Sequence, residues 1–84
     1  MSEKMDMIEF DVEYTDTFNG EANYAWVTRK TLELPDNVPD RTLVRAAKAA
    51  LGMTGVRCKR EDMGDTIALR PVGTNTIIFI TPNI

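Results

Sequence analysis

The sequence contains no histidine, a single cysteine (Cys58) and a single serine (Ser2). Without histidine, the Ser-His and Cys-His pairs that activate nucleophiles are excluded, and so are the zinc sites that contain histidine. A lone cysteine can form neither a thiolate cluster nor an intramolecular disulfide, which is typical of a reducing cytoplasm. No P-loop and no GxGxxG spacing occurs. These absences predict a protein that is not an enzyme and that uses no metal or cofactor.

Long apolar runs are also absent. No stretch approaches the roughly 18 apolar residues of a membrane span, and the charged N-terminus lacks the apolar block of a signal peptide. With 84 residues, 43% hydrophobic and 27% charged, the composition is that of an ordinary globular domain. We therefore expect one cytoplasmic domain over residues 1–84, with a flexible tail at 1–5 and no contact with a membrane.

Charge is distributed unevenly along the chain. Residues 1–21 hold seven acidic residues against Lys4, whereas residues 22–84 hold six acidic and nine basic residues. The net charge of −3 argues against a general nucleic-acid binder. The asymmetry indicates either a charged partner or two oppositely charged regions that lie side by side.

The stretch from Ile8 to Leu34 predicts a β-hairpin. Its first limb, about 6–16, alternates strictly between apolar and polar residues, which is the period-2 signal of a half-buried strand. Asn19-Gly20 follows, and both residues tolerate the positive φ of a type I′ turn. The hairpin therefore has one face that must be covered and one face that carries carboxylates.

The register of this hairpin decides which way Trp26 points. A strict two-residue loop pairs Val12 with Val27 and Glu13 with Trp26, so that Trp26 lies on the outward, acidic face. One bulge would exchange the faces and send Trp26 into the core. Both alternatives remain open. In the first, Tyr24 and Trp26 are exposed aromatic anchors for a partner.

One helix is predicted, from Arg41 to Leu51. Its apolar residues follow the i, i+3/i+4, i+7 spacing of a buried stripe. Asp40 suits the N-cap position, and Gly52 suits the position that follows the C-cap.

Three strands are predicted after the helix, over residues 55–60, 66–70 and 76–81. In the first, Val56 and Cys58 point inward, and a loop at 61–65 follows it. The last strand is apolar on both faces, which is typical of a well-covered strand, and Pro82 should end it. The expected fold is α+β: a single helix packed on one face of a mainly antiparallel four- to five-stranded sheet, in the order β-β-α-β-β-β.

The outward residues of the first strand are the leading candidates for partner binding. They form an acidic row, continued by two carboxylates at the hairpin tip: Glu9, Asp11, Glu13, Asp16 and Glu21. Carboxylates spaced by two residues on a strand repeat at about 6.6–6.8 Å, roughly twice the axial rise per phosphate of one DNA strand. Such a row could meet a basic groove of a protein, although charged residues also keep an exposed strand from pairing with other chains.

Two alternatives use other residues. A nucleic-acid-binding accessory protein would use a basic patch, provided that the helix and the third strand merge their cations: Arg41, Arg45, Lys48, Arg57, Lys59 and Arg60. A homodimer would form through the strand from Ile77 to Ile80 or through the open face of the sheet.

Three segments resemble one family of short, largely uncharacterised proteins of phages, prophages and plasmids. They are Tyr14-Thr15-Asp16-Thr17-Phe18-x-Gly20-Glu21-Ala22-Asn23-Tyr24-x-Trp26-Val27, Leu51-Gly52-x-Thr54-Gly55-Val56-Arg57-Cys58 and Gly64-Asp65-x-Ile67-x-x-Arg70-Pro71. The resemblance spans nearly the whole chain and includes no catalytic motif. It implies a mobile-element protein that acts in the cytoplasm of a bacterial host cell. Small proteins of that setting include anti-CRISPR proteins, some of which are acidic and occupy DNA-binding grooves. The resemblance thus implies an inhibitor that blocks DNA binding by a CRISPR effector complex.

Overall fold

The computed structural model describes residues 6–83, which form five strands and one helix. The elements are β1 (Met7–Phe18), β2 (Glu21–Pro35), α1 (Asp40–Ala50), β3 (Cys58–Met63), β4 (Thr66–Pro71) and β5 (Thr76–Asn83). The predicted α+β class and the order β-β-α-β-β-β are confirmed. The predicted flexible tail at 1–5 lies outside the described residues.

The strands form one antiparallel sheet in the order β2-β1-β5-β4-β3. β5 is the central strand, and its predicted coverage on both faces is confirmed because Ile77 and Ile78 point to opposite faces and are both buried. Since β1 and β4 flank β5, the predicted homodimer cannot form by pairing through the edge of that strand. Pro82 does not end β5 as predicted. Pro82 pairs with Phe10 of β1 and lies beyond the residues of β5 that pair with β4. On the β4 side no hydrogen bond is therefore lost through the missing N–H of the proline.

The hydrophobic core lies between α1 and one face of this sheet. Leu43 and Ala47 are the buried residues of the helix, and the small Ala47 lets the helix lie close to the strands. They pack on buried residues of β1, β4 and β5, namely Phe10, Val12, Leu69, Ile78 and Ile80. The opposite face of the sheet, the open face, points away from α1 and includes Glu9, Asp11 and Glu13 of β1.

The helix begins one residue earlier than predicted. Pro39, with φ −64° and ψ 144°, occupies the N-cap position without a side-chain cap, and Asp40 is the first helical residue. The carboxylate of Asp40 accepts a hydrogen bond from Arg60 instead of capping α1. At the other end Gly52 has φ 71°, and Met53 N–H donates to the carbonyl of Lys48 (2.8 Å), as in a Schellman motif. The prediction for Gly52 is confirmed.

The β3–β4 hairpin also differs from the predicted boundaries. β3 starts at Cys58, because Gly55 (φ 84°) lies in a turn before it, so Val56 is not a strand residue. Met63 pairs directly with Thr66, so most of the predicted loop at 61–65 belongs to β3. Only Gly64 and Asp65 form the turn, and Gly64 (φ 67°) adopts the positive φ that a glycine-first two-residue turn requires.

Candidate functional site

A large bulge in β2 sets the geometry of the first hairpin. At the tip, Phe18 pairs with Glu21, as the type I′ turn predicts, and both Asn19 and Gly20 have positive φ. The register then shifts, so that residues 23–26 of β2 lie opposite Asp16 alone. Because the shift is an odd number of residues, it exchanges the two faces of β2. Of the two registers left open by the sequence, the bulged one is present.

The strict two-residue register is therefore wrong beyond the tip. Val12 pairs with Lys30, and Glu13 pairs with Arg29. Trp26 lies against Tyr14, with ring centroids 5.1 Å apart in an edge-to-face arrangement. Since Tyr14 packs against the core under α1, Trp26 lies on the helix side of the sheet. Because 44% of its surface is exposed, the predicted burial of Trp26 in the core is wrong.

The carboxylate of Asp16 holds the bulge in place. It accepts hydrogen bonds from Ala25 N–H (2.9 Å) and from Nδ2 of Asn23 (2.9 Å). The hydrogen bond from Asn23, more than the one from Ala25, lowers the pKa of Asp16 below its ordinary value. Asp16, predicted as a partner-binding residue, thus has a structural role within the hairpin.

Tyr24 and Trp26 are similarly exposed, at 47% and 44% of their surfaces, but they lie on opposite faces of the sheet. Tyr24 takes a positive φ of 57° in the bulge, and its hydroxyl donates to Oε1 of Glu13 (2.8 Å) on the open face. This hydrogen bond is the main cause that raises the pKa of Tyr24. The two aromatic rings are therefore not one anchor.

The predicted acidic row is present on the open face. Glu9, Asp11 and Glu13 alternate with the buried Phe10 and Val12 along β1. Because β1 lies between β2 and β5, these carboxylates do not protect an exposed strand edge. Glu21, at the hairpin tip, is exposed and lies apart from the row.

The row is electrostatically divided. Glu13 forms an ion pair with Nε of Arg29 (3.0 Å), so its charge is compensated within the sheet. Glu9 stands directly opposite Glu33 of β2. Within residues 6–83, Glu9, Asp11 and Glu33 have no partner in an ion pair.

Apolar side chains lie beside these carboxylates. Tyr24, Met63 and the half-buried Phe79 line a hollow of about 320 Å³ together with Glu13 and two threonines. Aromatic residues and methionine are enriched at the centres of protein interfaces. The open face thus has two parts. The apolar centre consists of Tyr24, Met63 and Phe79. The acidic corner consists of the carboxylates without an ion pair, Glu9, Asp11 and Glu33.

The predicted basic patch is only partly assembled. Arg41, Arg45 and Lys48 from α1 and Arg60 from β3 line one cavity of about 520 Å³ on the helix side. Lys59 pairs with Arg70 and points to the opposite face of β3, since neighbours along a strand alternate. Arg57 precedes β3 and is not part of the cavity wall. The helix and the strand therefore merge four of the six cations.

Other kinds of site find no support in the described part of the chain. Residues 6–83 contain no group of three or more His, Cys, Asp or Glu side chains placed to bind a metal ion. Nor do they contain a helix long and apolar enough to cross a membrane.

Comparison with known proteins returned no protein-family model, no curated protein and no solved structure that matches the chain. The resemblance to proteins of phages and plasmids stays a prediction.

Three residues of the open face were missed from the sequence: Glu33, Met63 and Phe79. Glu33 carries a signal, because it alternates with Leu32 and Leu34 and so belongs to an outward face. Its position beside Glu9 depends on the bulge, which no pattern in the sequence locates. Met63 was assigned to a loop, and Phe79 to a covered strand.

Proposed function

We propose that this protein is a non-enzymatic binding protein whose open face docks on a cationic surface of a protein partner. The specific form of the proposal is an inhibitor that occupies the DNA-binding surface of a CRISPR effector complex. The proposal rests on one observation in particular, the uncompensated carboxylates of the acidic corner.

Glu9 and Glu33 face each other across β1 and β2, with Asp11 next to them on the same face. Like charges directly opposite each other destabilise a strand pair. Arg29 shows that the sheet can neutralise a carboxylate of this row, since it pairs with Glu13. Cations of a partner could neutralise the corner, and complementary charge would also accelerate the encounter.

The apolar centre supplies the second part of the interface. The hydrogen bond from Tyr24 to Glu13 restricts the tyrosine side chain, so less side-chain entropy is lost when a partner covers it than for an unrestrained tyrosine. Tyr24, Phe79 and Met63 would form the desolvated contact, and the carboxylates would lie at its rim. This arrangement matches the apolar core and polar rim of a protein interface.

A capture experiment with two charge variants tests the proposal. The tagged protein is incubated with a purified CRISPR effector complex, and the complex retained on the resin is quantified. Glu9→Gln/Glu33→Gln removes two charges from the acidic corner. Asp36→Asn/Asp65→Asn is the matched control, because it removes two exposed charges outside the open face.

We expect the wild type and the control to retain the complex and the corner variant to lose at least about tenfold in affinity, which corresponds to about 1.4 kcal/mol. Prior loading of the complex with its target DNA should prevent capture. If wild type and corner variant bind equally well, the acidic corner is not the contact. If the wild type retains no complex, the CRISPR form of the proposal is wrong for that complex.

A further inference from the structure

A cavity between α1 and β3 lies on the helix side of the sheet, away from the open face. Its volume is about 520 Å³, within the range of small-molecule sites. Val44, Cys58 and Leu69 supply apolar wall, and the turn at 54–55 closes it beyond the helix. Cations line it: Arg41, Arg45, Lys48 and Arg60.

No carboxylate belongs to the wall of this cavity. Arg60 is compensated from outside it, by Asp40 (2.8 Å) and Asp62 (2.8 Å). The three cations of α1 form no ion pair in the described structure. The cavity is therefore strongly positive, although the whole chain has a net charge of −3.

The helix does not favour this arrangement by itself. Arg41 lies in the first turn of α1, where the helix dipole favours negative charge. Arg41 and Arg45 are four residues apart, a spacing at which like charges repel on a helix. Only Lys48, in the last turn, is placed as the dipole prefers. An anion held between these cations would relieve the repulsion.

Cys58, in the apolar wall of the cavity, lies near the cation Lys48. Burial raises the pKa of the Cys58 thiol, and the charge of Lys48 opposes that increase. Lys48 is itself half-buried and lines the same cavity as Cys58.

We propose that the cavity between α1 and β3 binds a small organic anion, with an apolar body against Val44 and Leu69 and a phosphate or carboxylate group on Arg41, Arg45 and Lys48. Guanidinium groups bind both anions through paired hydrogen bonds. The apolar wall gives preference to an anion that carries a ring or a short alkyl chain over a bare inorganic ion. This site is independent of the acidic corner.

Isothermal titration calorimetry with three probes tests the assignment. 1-Naphthyl phosphate has both the ring and the charge, 1-naphthol has the ring alone, and inorganic phosphate has the charge alone. We expect 1-naphthyl phosphate to bind at least about tenfold more tightly than either of the others. Equal binding of 1-naphthyl phosphate and inorganic phosphate would overturn the proposal, because it would show only counter-ion attraction. Undetectable binding of 1-naphthyl phosphate would overturn it as well.

Two double variants locate the site. Arg45→Gln/Lys48→Gln should weaken binding of 1-naphthyl phosphate by about tenfold or more. Lys30→Gln/Lys59→Gln, which removes the same charge from residues outside the cavity, should change it by less than about twofold. Equal losses in both variants would contradict the assignment.

Cys58 gives an independent readout in the unmodified protein, since it is the single cysteine of the chain and lines the cavity. Bound 1-naphthyl phosphate should slow the alkylation of Cys58 by iodoacetamide severalfold, and a rate unaffected by saturating probe would place the ligand elsewhere.

A short oligothymidylate tests whether the cavity binds nucleic acid instead of a small molecule. If it binds more tightly than 1-naphthyl phosphate and protects Cys58, the site takes nucleic acid and the small-molecule proposal is wrong.

Discussion

Asp16 has a structural role in the first hairpin. Its carboxylate accepts hydrogen bonds from the backbone N–H of Ala25 and from the side-chain amide of Asn23. These bonds stabilise the bulge that places Tyr24 within hydrogen-bond distance of Glu13. The neighbouring Thr15 is fully buried, and its hydroxyl donates to the carbonyl of Trp26 (2.7 Å). Two consecutive side chains of β1 thus satisfy polar backbone groups that the bulge removes from the ladder.

The contribution of Asp16 should depend on pH. Because its pKa is lower in the folded protein than in the unfolded chain, the ionised form stabilises the fold above the unfolded pKa of about 3.9. This stabilisation is lost as the pH falls through the folded value. Asp16→Ala should therefore be less stable than wild type at pH 7, and the difference should shrink at pH 3, in urea unfolding.

The control for this prediction is Asp36→Ala, since Asp36 is exposed and its side chain makes no hydrogen bond within the described residues. It should be close to wild type at both pH values. If Asp16→Ala and wild type differ by the same amount at pH 7 and pH 3, the ionised carboxylate does not stabilise the bulge.

At the scale of elements, the pairing of β1 with β2 includes an unfavourable electrostatic contact. Glu9 and Glu33 are directly opposed, whereas Glu13 and Arg29, four residues further along the same strand pair, form an ion pair. A sheet selected for stability alone would place a cation at one of the first two positions. The contact is understandable if the corner is used for binding, since binding surfaces often reduce stability.

Replacing the opposed pair should therefore stabilise the free protein. Glu9→Gln/Glu33→Gln is expected to raise the free energy of unfolding by about 0.2–1 kcal/mol at low salt. The gain should decrease with added salt, because at 0.1 M the screening length is about 10 Å. Urea unfolding at two salt concentrations measures both effects. A variant less stable than wild type at low salt would show that the two carboxylates do not repel each other.

The helix and the two faces of β1 could be predicted from local pattern, because the period of apolar residues is set by which side is buried. Leu43 and Ala47 of α1 and the alternation from Ile8 to Val12 are examples. The bulge could not be predicted, since it depends on Asp16 accepting a hydrogen bond from a backbone N–H nine residues away. Pro82 was misjudged for a related reason: whether a strand tolerates proline depends on where its neighbours end.

In the whole molecule, two charged regions lie on opposite sides of the sheet, although each side also carries charges of the other sign, such as Arg29 on the open face and Asp62 on the helix side. The acidic corner is on the open face, and the cationic cavity is on the helix side. Both edge strands carry charged residues, such as Lys30 in β2 and Arg60 in β3, which disfavour pairing with another chain. The composition of the acidic row was predictable, but its neighbours Glu33 and Phe79 follow from the sheet order and the bulge.

Tyr24 and Trp26 allow the most direct test of which face binds the partner, because they are similarly exposed on opposite faces. The affinities of Tyr24→Ala and Trp26→Ala for the effector complex should be measured side by side, with circular dichroism to confirm that both fold. The open-face account predicts that Tyr24→Ala loses about 2 kcal/mol of binding free energy or more, as at an interface hot spot. It predicts that Trp26→Ala changes the affinity by less than about threefold. Loss of binding in Trp26→Ala with Tyr24→Ala unaffected would contradict the account and place the contact on the helix side.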